Sequence, residues 1–208
     1  MWLALGVFAL ASSLIVIHAQ QCVPPPAGII SWWPGDGTAA DIVGPNDGAL
    51  HKGAGYGSGM VGQAFHFDGV NDYMRAPVTG FPVGSHDRTL EMWVNIEAFV
   101  VAESFFAGYG FPVTNSFYDV GTSFIHDNSV FFSSWGPAVF GPPLATGRWY
   151  HVAATNIGTY GRLYLDGELV AEGDLSINTI VAEPYTSIFM GTHPDSNRRY
   201  QEASGIGR

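Results

Sequence analysis

Residues 148–173 read RWYHVAATNIGTYGRLYLDGELVAEG. Three short runs inside it, WYHVAAT, GRLYLD and ELVAE, carry the aromatic and apolar spacing of strands. Asp166-Gly167 stands between the last two and is a strong two-residue hairpin signal. The same pattern continues outward. QAFHF, DYMRA, TLEMWVNI, SVFFSSW and TSIFMG are further strand-like runs, separated by Gly, Pro, Asn and Asp. Asp-Gly recurs at 36–37, 47–48 and 68–69. No stretch of about ten residues keeps a helical period, and there is no internal repeat. Short strands with frequent turns predict an all-β, antiparallel two-sheet sandwich.

The chain has 208 residues, 47% hydrophobic, 14% aromatic and only 12% charged. That suits one domain with a sizeable core. The net charge is −10 and Lys52 is the only lysine. These values argue against nucleic acid and anionic membranes as partners. They favour a neutral ligand, a cation or a soluble extracellular life.

Residues 1–19 are almost wholly apolar and end in Ile17-His18-Ala19, a plausible cleavage site. They are read as a secretory signal, so a secreted protein without membrane insertion after cleavage is expected. The alternatives are an uncleaved anchor, for which the run is barely long enough, or a start codon further upstream. Residues 20–27 hold Pro24-Pro25-Pro26 and form a stiff spacer. The domain is assigned to 28–208. Cys22 is the only cysteine. It is either inert or a thiol whose partner lies elsewhere.

Gly57-Ser58-Gly59-Met60-Val61-Gly62 matches G-x-G-x-x-G, the phosphate-cradling fingerprint. That motif works only between a strand and a helix. Here HKGAGY before it has no strand pattern, and Phe65 and Phe67 after it alternate as a strand does. The glycines are therefore read as a loop entering a strand. In TLEMWVNIE, Met92, Val94 and Ile96 share a face expected to be buried. Glu91, Trp93, Asn95 and Glu97 share the other. That polar face is read as solvated or covered by a loop, with a ligand-bearing surface as the alternative.

Several separated blocks resemble the laminin-G-like domains of the concanavalin A-like lectin/glucanase superfamily in their secreted bacterial form. They are CVPPPAGIISWWPGDGTAADIVGPNDGAL, GMVGQAFHFDGVNDYMRAP, TLEMWVNI, RWYHVAATNIGTYGRLYLDGELVAEG and SIFMGTHP, in the family's order from Cys22 onward. The resemblance implies a jelly roll with one concave sheet. It also implies an Ile-Asp-Glu-Val-like C-terminal strand beside the first strand. The sequence stops near where that strand should begin. The expectation is therefore a jelly roll lacking its last strand, with a bare sheet edge near Gly28–Trp33 and a cysteine partner beyond it.

The fold hosts both enzymes and binding modules, so function rests on residues. Glucanases of the superfamily carry a Glu-x-Asp-x-x-Glu-like strand, and that full pattern occurs nowhere here: Glu172-Gly173-Asp174 has Ile177 where the second Glu would stand. Glu91 and Glu97 lie about 20 Å apart along an extended strand, too far for a retaining pair. Gly-x-Ser-x-Gly and His-Glu-x-x-His are absent. His66 and His151 read as structural, and no enzyme is expected. Asp36, Asp41, Asn46 and Asp47 sit in one loop and could donate oxygens to a structural Ca²⁺, with turn-fixing as the bland alternative. Asp68 and Asp72 read as turn-fixing. Trp93 and the loop aromatics Tyr109, Phe117, Tyr118 and Trp135, with Phe111 and Phe140 beside them, are candidates for sugar stacking; core packing is the alternative for each. AGYGFPVTNSFYDVGTSF departs most from the family pattern and reads as a variable loop. The expected function is a non-catalytic recognition module for a glycan or an extracellular protein, within a larger multidomain protein. The alternatives are an interaction or spacer domain without a glycan site, and an unusual glycosidase.

Overall fold

The computed structural model describes residues 25–99, 103–192 and 206–207. The signal-like segment and Cys22 lie outside them. Among the described residues, fourteen strands form two antiparallel seven-stranded sheets. The strands are β1 (Ala49–His51), β2 (Gly55–Ser58), β3 (Gln63–His66), β4 (Tyr73–Pro77), β5 (Arg88–Asn95), β6 (Glu103–Tyr109) and β7 (Tyr118–Ser123). They continue as β8 (Ser129–Ser133), β9 (Ala138–Pro143), β10 (Trp149–Ile157), β11 (Tyr160–Leu165), β12 (Glu168–Asp174), β13 (Ser187–Met190) and β14 (Ile206–Gly207). The first sheet runs β1-β4-β13-β6-β7-β8-β9 and the second β12-β11-β10-β5-β14-β3-β2. One 3₁₀ turn, Phe124–His126, is the only helical element among the described residues. No described helix is long and apolar enough to cross a membrane.

Alternation places the core. Met74, Phe106, Tyr118, Val120, Val130, Phe132, Ile188 and Met190 face inward from the first sheet. Phe65, Phe67, Met92, Val94, Tyr150, Val152, Ala154 and Leu163 face them from the second. The buried set in β5 is the one its period-two spacing picks out, and Ile96 follows it. The β11–β12 hairpin turns on Asp166-Gly167, both with positive φ, as a type I′ turn requires.

Four expectations need correction. Gly55–Ser58 is strand β2, pairing with β3. The G-x-G-x-x-G match therefore spans the end of β2 and the turn into β3, with no helix after it. The supposed variable loop at 107–124 is half sheet, because β6 ends at Tyr109 and β7 runs from Tyr118 to Ser123; the loop itself is only 110–117. Ala138–Pro143 forms β9, which its two prolines hid; at a sheet edge their missing N–H groups cost little. Finally, Gly28–Trp33 is not a strand, and β14 pairs with β3 and β5 instead.

Candidate functional site

Strands β6 to β9 make a meander whose register lines up two rows on the outer face. One row is Phe105–Gly121–Phe131–Phe140. The other is Gly108–Asp119–Ser133–Ala138. Tyr118, Val120, Val130 and Phe132 point into the core, so their neighbours Asp119, Gly121, Phe131 and Ser133 point out. The rows are two residues apart along the strands, about 7 Å.

Between them lies a depression of about 550 Å³, lined among others by Phe105, Asp119, His126, Phe131, Trp135 and Phe140. Phe105 meets Phe131 edge-on at 5.8 Å, and Phe131 lies 6.2 Å from Phe140. His126 packs on Phe140 with ring centroids 4.0 Å apart. The glycines keep the floor low. A side chain at Gly121 would meet the Ser104 carbonyl and the Phe131 ring, and one at Gly108 would meet Phe117 and Asp119.

The polar row centres on Asp119, which is only 1% exposed. The Ser133 hydroxyl donates to its Oδ1 at 2.5 Å and accepts the Trp135 N–H at 3.3 Å. Trp135 occupies a left-handed position, φ 63°, in the β8–β9 turn, and packs edge-on against Phe117 at 6.0 Å. A non-glycine residue is uncommon there. The turn sets the indole at the rim, half-buried, while Phe140 is 40% exposed. A planar, partly exposed aromatic surface beside an oriented carboxylate can stack one face of a ring and accept hydrogen bonds from its hydroxyls.

The expected site residues divide. Trp135 lines the depression, and Phe117 supports it from beneath, buried. Tyr118 faces the core; its hydroxyl donates to the Ala154 carbonyl, and burial pushes its ionisation far up, against the opposing Arg88 charge. Tyr109 is equally buried, donates to the Pro82 carbonyl and accepts from Arg88. Burial raises its hydroxyl too, again opposed by Arg88. Neither tyrosine can reach a ligand on the outer face, because alternation turns both inward. Trp93 lies on the outer face of the other sheet, 5.2 Å from His151.

The acidic loop is used for folding. Asp41 Oδ1 accepts the N–H groups of Trp32, Val43 and Gly44, and Oδ2 accepts that of Asn46. Burial pushes its carboxyl upward. The backbone donors and Ser31 outweigh that effect and hold it below the usual carboxylate value. Asp47 accepts the Asp41 N–H, Asp36 accepts the Gln63 N–H, and buried Asn46 bridges Ser31 and Thr79. Asp41 and Asn46 are thus committed to holding backbone in and beside the loop. Among the described residues no three His, Cys, Asp or Glu side chains converge to hold a metal. Asp68 and Asp72 likewise bind the backbone of their own turn.

Sequence reading missed Phe105, Asp119, His126, Phe131 and Ser133. The outward positions of SVFFS were readable by alternation. Their neighbours came into view only through the cross-strand register.

A family model described as the concanavalin A-like lectin/glucanases superfamily, of laminin-G type, matches residues 68–203. No curated protein matches the chain. Among solved structures, domain 4 of AbnA, a GH43 extracellular arabinanase from Geobacillus stearothermophilus solved with arabinotriose, superposes with a TM-score of 0.63. It is 16% identical, over 84% of this chain and 87% of that one. Trypanosoma rangeli sialidase is 18% identical with a TM-score of 0.62, over 88% of this chain but only 30% of its own length. At these identities the likeness is one of fold. The chain belongs to the concanavalin A-like lectin/glucanases superfamily.

Proposed function

We propose that this chain is a non-catalytic carbohydrate-recognition domain of a secreted, multidomain protein, and that it binds a neutral oligosaccharide on the outer face of β6–β9. The observation that carries this reading is the depression itself. Partly exposed Phe140 and Trp135 flank a buried Asp119–Ser133 pair, so aromatic rings stand beside oriented polar groups. A sugar presents an apolar C–H face to the rings and hydroxyls to the carboxylate. The lining holds one carboxylate and no lysine or arginine among the described residues, which disfavours anionic sugars. A lone carboxylate also argues against hydrolysis, which in most glycosidases uses two. Glu91 and Glu97 do not supply the pair: they face His151 and His66 at 3.9 and 3.6 Å. The related arabinanase domain, solved with arabinotriose, supports a glycan as ligand.

Calorimetric titration with a panel of neutral and anionic oligosaccharides tests the reading. At least one neutral member should bind, and Trp135→Ala or Phe140→Ala should weaken it roughly tenfold, the scale of one lost stacking contact. Asp119→Asn should weaken it too, with folding checked by melting. Failure of the whole panel to bind, or binding indifferent to all three changes, would overturn it. Hydrolysis of any panel member would revive the enzymatic alternative.

A further inference from the structure

The outer face of the first sheet continues past the depression. Register runs one outward row across it, Ala49–Arg75–Phe189–Gly108–Asp119. Alternation in β4 buries Met74 and Ala76 and turns Tyr73 and Arg75 outward. In β13, Ile188 and Met190 face the core, so Ser187 and Phe189 lie on the outer face.

Arg75 is exposed, yet its guanidinium is held in place. Nε donates to the hydroxyl of buried Ser187 at 2.7 Å. The guanidinium carbon lies 5.7 Å from the centre of the Phe189 ring. Tyr73 lies 6.3 Å from Phe189 and stacks on His51 at 4.6 Å. The chain carries 18 Asp and Glu against 8 Lys and Arg. The other described arginines are used inside the fold: Arg148 meets Asp166, Arg162 meets Glu172, and Arg88 is turned to the carbonyls of Pro82 and Gly84. No described carboxylate meets Arg75. Of its N–H donors only that on Nε is used; those on the terminal nitrogens have no acceptor among the described residues. Holding a long side chain in one geometry costs rotamer freedom, and the fork so held matches a planar carboxylate bidentately.

We infer that Arg75 anchors a second ligand subsite on this face, one that takes the carboxylate of a uronic-acid unit. The inference extends the glycan reading and rests on it for the sugar that carries the carboxylate. Neutral units lie over β6–β9 and the acidic unit lies outside the depression. Asp119 stands three strand spacings from Arg75 along the row, about 14 Å, so it does not repel a carboxylate received there. Tyr73 and Phe189, both half-buried, offer the sugar ring an apolar contact beside the fork.

Calorimetry on the 208-residue chain tests this with tetragalacturonate, its fully methyl-esterified form and tetraglutamate. The acid sugar should bind roughly tenfold more tightly than its ester, the scale of one charge-assisted hydrogen-bonded pair. The advantage should shrink as salt rises. Arg75→Gln, at an exposed position, should bring the acid down to the ester's affinity with melting unchanged. Arg75→Lys should restore only part of the difference, since an ammonium keeps the charge but not the fork. Tetraglutamate, which has the charge without the rings, should bind several-fold more weakly than the acid sugar. Equal binding of acid and ester, an advantage that survives Arg75→Gln, tetraglutamate binding as well as the sugar, or no binding by either tetrasaccharide would each overturn the inference. The two readings fail separately: a neutral oligosaccharide that binds over β6–β9 while acid and ester are equal leaves the glycan reading standing and removes this one.

Discussion

Two recesses of this molecule are built in opposite ways. The depression over β6–β9 rests on four strands paired without a gap, and its shape comes from side chains: large rings at Phe105, Phe131 and Phe140, and none at Gly121. A groove of about 660 Å³ between β5 and Ile29–Trp33 comes from the backbone, since among the described residues β14 pairs with β5 only at Val94 and Trp93, and the inner-face residues Ala107, Tyr109 and Met190 line it. A surface recess on a complete sheet can change its lining without disturbing the fold. The groove's lining belongs to the core, so changes there bear on stability first.

This contrast can be broken by mutation. Phe132 is fully buried beneath the depression, and Phe132→Ala should cost about 3–5 kcal/mol by denaturant unfolding. Met190, on the groove floor, borders a space already present, so Met190→Ala should cost only about 2 kcal/mol, the low end for such a truncation. Equal losses would mean that the groove is as tightly packed as the core.

Asp41→Asn should cost on the order of 2–3 kcal/mol at neutral pH, because four backbone N–H groups lose a charged acceptor. The folded carboxyl titrates below its ordinary value. Its stabilisation is therefore complete above about pH 4 and fades as pH falls through the folded value. Melting curves of the two proteins should converge below about pH 4 and stay apart above it; a constant gap would contradict the assignment.

Gly121→Ala should cost about 1–3 kcal/mol, since its methyl group would press on the Ser104 carbonyl and the Phe131 ring. It should also weaken glycan binding by raising the floor. A variant that binds normally would separate the glycine from the site.

Much of this molecule was legible before any coordinates. Hydrophobic alternation in TLEMWVNI and the Asp-Gly turn at 166–167 depend on neighbours along the chain, and both hold. The acidic loop was legible as either turn or metal site, because the same oxygens serve both. Only their distances to the N–H groups of Trp32 and Gly44 show the turn role of Asp41. Tyr118 and Trp135 look alike as aromatics in a glycine-rich stretch, yet one is core and the other rim.

By itself, then, the sequence determined eight of the fourteen described strands, the sandwich class and the family, since period-two burial and turn chemistry are local properties. Tertiary structure alone decided which side chains meet. Asp119 reaches Ser133 and Phe105 reaches Phe131 across strands whose register no single strand encodes. The groove, likewise, is lined by β5 and by inner-face residues of the opposite sheet, which only packing brings together.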